Sequence, residues 1–326
     1  MSPSYTNQSL TVHVDPSAGR LPAAVSPSQV STFQQCGLKY WFVQVRGWRE
    51  PPSQATAVGT LVHDSFEDLY RLPAPERTPD TAQELLRNRA NLMREDPQFE
   101  PLLGNKAAAA HARLSVEGLY QLEEPTQLQI DPEGLERVLM ADVAGVPFSG
   151  RLDRMTTDGV VRITDYKTTP RAQGPSKLPN ALRQLLLYAA AVHADTGTAV
   201  EEVELLYPAV PQRVRRPVYP AALQRAVDEF VAMRESTIHS ALTGDWNAVT
   251  GPLCNYCPFS RWCPAVTPDA PALSSPGSEE GLIAKFGPGR VVAAEQAADA
   301  PDASQIVADV LTLDVLDGDL DAEVEL

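Results

Sequence analysis

The chain has 326 residues and a formal net charge of −15, enough length for one large domain or two modest ones whose core needs no disulfides. It has no run of about eighteen apolar residues, which excludes a membrane-spanning helix, and residues 1–20 lack the basic start and apolar core of a secretory signal. A cytoplasmic protein with reduced cysteines is therefore expected. Residues 265–326 hold thirteen acids against two bases, a balance of −11 that leaves −4 on residues 1–264, so a local basic groove on the body stays compatible with phosphate binding.

Residues 1–24 read as a flexible leader. Ser26-Pro27 then predicts a helix start, with serine as N-cap and proline in the first turn; this helix runs through "SQVSTFQQCGLKYWF" and carries Cys36. A second helix is expected over residues 57–71, "AVGTLVHDSFEDLYR", and residues 79–122 read as mostly helical. From Leu135 the apolar period shortens to two, which predicts strands in "LERVLMADVAG", "VPFSGRLDRM" and "GVVRITDYK". A helix ("NALRQLLLYAAAVHA"), a strand ("VEEVELLYP") and a long helix over about 220–242 follow. This order predicts an α/β fold, a mixed sheet flanked by helices. The body, residues 25–265, closes on "GPLCNYCPFSRWCP". Residues 266–326 read as an acidic, disordered tail interrupted by one apolar island, "SQIVADVLTLDVL".

The chemistry concentrates in "FSGRLDRMTTDGVVRITDYKTTP". Strand alternation puts Asp165 and Lys167 on one face and Tyr166 on the other. Asp153 joins them only with the right turn parity. A two-residue Asp158-Gly159 turn would point it away. A three-residue loop with Gly159 left-handed, pairing Asp153 with Ile163, or a strand irregularity of the same effect, would put both acids on one side. Two converging carboxylates suit Mg2+ or Mn2+, and the backbone carbonyl of Tyr166 lies between them as a further ligand. A protonated Lys167 can orient water or stabilise charge developing on a phosphate. This combination serves phosphodiester hydrolysis; a plain surface ion pair is the competing reading.

Taken together, "GRLDRM", "ITDYKTT" and "RQLLLYA" resemble the RecB-type branch of the PD-(D/E)XK nucleases. The resemblance implies a nuclease core over about residues 25–265, with Asp153, Asp165 and Lys167 catalytic. It also implies that Gln184 and Tyr188, one helical turn apart, position a DNA strand. "VGTLVHDSFEDLY" matches the family's upstream helix, with His63 as an additional metal ligand. Glu136 loosely matches an acid on the strand before the hairpin.

The cysteines are Cys36, Cys254, Cys257 and Cys263, the last three as C-x2-C-x5-C. Four thiolates suit tetrahedral zinc or an iron–sulfur cluster, but zinc sites usually draw two close pairs and this arrangement is one plus three. Iron–sulfur members of the family, among them CRISPR-associated and phage-encoded exonucleases, share the distant first cysteine and the C-terminal triplet. The resemblance thus implies a 4Fe–4S clasp joining the first helix to the end of the domain, with Zn2+ as the alternative. It also implies a metal-dependent DNA exonuclease acting on DNA ends or single strands in recombination, repair or CRISPR adaptation. Such an enzyme works alone or beside a helicase or annealing partner. No Walker A motif is present, so the chain is not itself an ATP-driven helicase. A non-catalytic DNA-end-binding module and a zinc-clasped interaction protein are the competing functions.

Overall fold

In the computed structural model, which describes residues 7–157, 159–171, 174 and 178–270, the first regular element falls inside the expected leader. Gln8–His13 form strand β1, antiparallel to Asp245–Thr250. The partner segment alternates strictly, burying Trp246, Ala248 and Thr250 and exposing the residues between them, a period-two pattern that the sequence reading passed over. The acidic tail from residue 271, with its apolar island, lies outside the described residues.

The chain divides into two units. The first comprises the described residues up to Pro51, Gly145–Phe148, and the described residues from Asp228 onward. In it, a capping box between Ser26 and Gln29 opens helix α1 (Pro27–Gln35). The helix does not continue through Cys36, as the sequence suggested. Cys36 is extended (φ −165°, ψ 110°) and caps a second short helix, α2 (Gly37–Tyr40), its sulfur accepting the Lys39 N–H at 3.4 Å. Gly37 explains the break: a Cβ there would lie 3.0 Å from the Asn247 carbonyl oxygen, so the backbones meet where only glycine fits easily. Aromatic rings fill this unit's core. Phe42 stacks on Trp48 at 5.0 Å and on Phe259 at 5.2 Å, and Trp262 meets Trp48 edge-on at 5.3 Å.

The second unit comprises Pro52–Ala144 and Ser149–Val227. Helix α3 (Gln54–Arg71) repeats apolar residues at helical spacing, burying Val58, Leu61, Val62, Phe66 and Leu69. These pack among α4 (Pro79–Arg94), α5 (Glu100–Leu103) and α6 (Lys106–Leu122), each contributing about 2 kcal/mol by leaving water.

Strands β2 (Ile130–Val143), β3 (Val146–Thr156), β4 (Arg162–Tyr166), β5 (Glu202–Tyr207) and β6 (Gln212–Pro217) form one sheet in that order. Ala144 (φ 53°) and Gly145 (φ 79°) make the two-residue turn from β2 to β3. β4 is antiparallel to β3 and parallel to β5, and β6 is antiparallel to β5, so the sheet is mixed, as expected. The parallel pair needs a crossover, which α7 (Leu178–Thr196) supplies while packing on β2, β4 and β5. Helix α8 (Pro220–Thr243) and strand β7 (Asp245–Thr250) complete the order. β6 and β7 are additional to the sequence reading.

The β3–β4 ladder pairs Arg154 with Thr164, Met155 with Ile163 and Thr156 with Arg162. One step further along, Asp153 stands opposite Asp165, so both acids share a face. The connection is residues 157–161, five residues instead of three, with Gly159 left-handed (φ 73°). Adding two residues preserves parity, which is why the acids still converge.

Alternation sends Arg154 to the opposite face, where it is 1% exposed. It grips Glu123 with two hydrogen bonds, at 2.6 and 2.8 Å, and lies over the Tyr70 ring. Glu204, whose carboxylate accepts from Thr164 and Arg215, lies 3.9 Å away. Arg154→Met is expected to cost about 3 kcal/mol, because it leaves Glu123 buried without its cation. A lower urea midpoint at unchanged slope checks this; an unchanged midpoint would show that the network carries no net stability.

Candidate active site

His63 reaches from α3 toward the end of the hairpin. Its Nε2 faces the Tyr166 carbonyl oxygen at 2.9 Å and its Nδ1 faces Asp153 Oδ2 at 3.4 Å. Both ring nitrogens thus meet acceptors, which only the imidazolium can satisfy on both sides. Asp153 Oδ2 also accepts the Tyr166 N–H at 2.8 Å, fixing the carboxylate where the β3–β4 ladder ends. From β2 comes Glu136, held at φ 47°, a conformation uncommon for a residue with a side chain. Arg151 Nη1 lies 3.7 Å from its carboxylate. One donor atom each from His63, Glu136 and Asp153 lies within 4.8 Å of the other two.

The charge balance favours a cation here. Burial opposes the charged imidazole, but Asp153, then Asp165 and Glu136, outweigh it and lift the His63 pKa to about 9. Burial first, then Asp153, pushes Glu136 up to about 7. Three acids crowd one histidine, and two carboxylates with an imidazole form a donor set that suits Mg2+ or, with its nitrogen, Mn2+. The residues therefore fit a divalent metal.

Asp165 is 7% exposed and lies outside that triad. Its Oδ2 pairs with Lys167 Nζ at 2.7 Å. Burial raises the Asp165 pKa against the pull of Lys167. Burial works against the Lys167 charge, but Asp165 more than offsets it, so the amine stays protonated. Gln184 Oε1 accepts from the same Nζ at 3.3 Å. Tyr188 is 6% exposed and hydrogen-bonds to Gln184 and to the Arg151 backbone. Tyr188, which the resemblance pairs with Gln184 in positioning a DNA strand, lies on the α7 face that carries Leu185 and Leu187 into the core. Gln184 and Tyr188 together prop Lys167. The Tyr166 carbonyl, expected as a ligand, faces His63. Glu136 joins the site more closely than its sequence match suggested.

In the first unit, Cys36, Cys254, Cys257 and Cys263 line one cavity, with Leu38 and Phe42 among its walls. None of the four is paired in a disulfide. Burial raises the pKa of Cys257 and lifts that of Cys263 to about 11. Among the described residues the four sulfurs do not gather as tightly as the His63, Glu136 and Asp153 donors.

A family model described as the PD-(D/E)XK nuclease superfamily matches residues 24–264. The chain belongs to the PD-(D/E)XK nuclease superfamily. PD-(D/E)XK nucleases generally use divalent ions such as Mg2+ or Mn2+, and the site just described carries a matching carboxylate and histidine triad. Comparison with curated proteins gives no match. Among solved structures, a protein from Eubacterium rectale described as a "Putative exonuclease" is similar, with a TM-score of 0.45 and 13% identity over 73% of this chain and 87% of that one. Among the described residues, no helix is long and apolar enough to cross a membrane.

Proposed function

We propose that this PD-(D/E)XK chain is a metal-dependent DNA exonuclease, hydrolysing phosphodiester bonds at DNA ends or on single strands during recombination, repair or CRISPR adaptation. The observation that carries the reading is the convergence of His63, Glu136 and Asp153 donors within 4.8 Å, beside the Asp165–Lys167 pair. In this reading His63, Asp153, Asp165 and Glu136 hold Mg2+ or Mn2+, and the Tyr166 carbonyl keeps the His63 ring oriented. When bound, the ion supplies Lewis-acid polarisation of phosphoryl oxygens and a more acidic water. Lys167, kept protonated by Asp165 and aimed by Gln184, stabilises negative charge developing on the phosphate. Digestion of end-labelled single- and double-stranded DNA with Mg2+, Mn2+ or a chelator tests the proposal. Stepwise shortening from an end that chelation stops supports it. Ends bound but left intact under every condition would favour a non-catalytic end-binding module.

The cysteine cavity belongs to the same proposal as a 4Fe–4S site. The one-plus-three spacing of the cysteines supports this reading, because zinc sites usually draw two close pairs. Zn2+ stays as the alternative occupant.

Metal loading should depend on pH with a definite sign. Ligation needs His63 unprotonated, and its pKa of about 9 means that at pH 7 it carries a proton the ion must displace. Glu136, near 7, gives up a further fraction. Affinity for Mn2+ should therefore rise with pH from about 6 to 9, with proton release close to one at pH 8 and larger toward pH 6. Calorimetry in buffers of different ionisation enthalpy measures the released protons. A pH-independent affinity with no proton release would remove His63 from the ligand set.

A further inference from the structure

A second cavity, of about 360 Å³, opens among α3, α4, α5 and α6, in the unit that also holds the triad. Its floor is apolar, with Leu61, Leu86 and Leu103, and its walls carry Arg87, Arg94 and Arg113. Among the described residues no acid lines it, unusual in a chain of net charge −15. Two features mark the wall as short of anions. Arg87 is exposed and makes no ion pair among the described residues, and the Arg94 Nε–H is buried without an acceptor. Among the described residues, Arg113 forms an ion pair only with Glu117, at 3.8 Å on the same helix.

The chain itself contains a segment of complementary chemistry. Residues 304–316 present Ile306, Val310, Leu313 and Leu316 among Asp309 and Asp314, within a stretch from 265 to 326 that carries −11. We propose that this acidic, apolar island docks intramolecularly into the arginine-walled cavity. Its leucines and isoleucine cover the apolar floor and its aspartates meet Arg87, Arg94 and Arg113. The inference does not depend on nuclease activity.

Hydrogen exchange on the full-length chain tests it. Amides of residues 304–316 should exchange about tenfold more slowly than an unstructured peptide of that sequence. Arg87→Glu with Arg113→Glu, both exposed and outside the triad, should return the island to within about twofold of the unstructured rate while the melting temperature holds. Higher salt should act in the same direction by screening the rim. An island that exchanges freely in the wild-type chain would overturn the proposal, as would protection that survives the charge reversals. Protection that grows with protein concentration would place the island on a second copy and overturn the intramolecular assignment.

Discussion

Replacing Asp165 by asparagine should lower metal-dependent cleavage by about 10²- to 10³-fold, the scale on which one well-placed electrostatic contact stabilises a transition state. The fold should tolerate the change. Asparagine keeps the shape, and a carboxylate that is 7% exposed with its pKa raised by burial is costly to keep ionised. What is lost is one of the carboxylates proposed to hold the metal, together with the charge that keeps Lys167 protonated and pairs with it at 2.7 Å. Adding Lys167→Met removes the orphaned cation, so the double variant should recover stability without recovering cleavage. Rates on end-labelled DNA and thermal melts separate the two effects. Wild-type cleavage by Asp165→Asn would take Asp165 out of the machinery, and recovery of cleavage in the double variant would reduce the pair to a structural ion pair.

The hairpin was legible because strand chemistry leaves few choices. Apolar residues at period two lead into Asp165, and Asp153 could share its face only with one turn parity. The turn's length was less legible. Three and five residues have the same parity, and the register Arg154↔Thr164 depends on where the ladder stops, which is set by the Asp153 carboxylate taking the Tyr166 N–H. Glu136 was nearly invisible for a different reason. Its left-handed φ of 47° aims it into the site, and nothing in "PEGLERV" marks that residue rather than the neighbouring glycine for such a conformation.

The other misses share a cause: tertiary contacts that override local pattern. "SQVSTFQQCGLKYWF" reads as one helix, yet the close approach of Gly37 to Asn247 breaks it at Cys36. β6, "QRVRRP", looks like a solvated loop, because its arginines pair with Glu202 and Glu204 on the neighbouring strand rather than alternate with apolar residues. The cysteine triplet, by contrast, depends on spacing alone, and it lines the same cavity as the distant Cys36.

Anaerobically prepared protein should be brown, with about four irons per chain, and Cys36→Ala and Cys36→Ser should both lose the colour, since neither supplies a thiolate. The pair of variants separates two roles of this residue. Serine keeps an acceptor for the Lys39 N–H, as the sulfur does at 3.4 Å, whereas alanine does not, so alanine should be less stable than serine by about 1 kcal/mol, the usual worth of a helix N-cap. The loss common to both is the cross-link between Cys36 and Cys254, which closes more than two hundred residues. Loop-closure entropy puts that at about 5 kcal/mol, or a fall in melting temperature of roughly 10–20 °C for a domain of this size. Iron retained in Cys36→Ser would remove Cys36 from the ligand set and leave only its capping role. Colourless wild-type protein with one zinc per chain would assign the cavity to the tetrahedral alternative, with the stability loss in the two variants unchanged because the cross-link is the same.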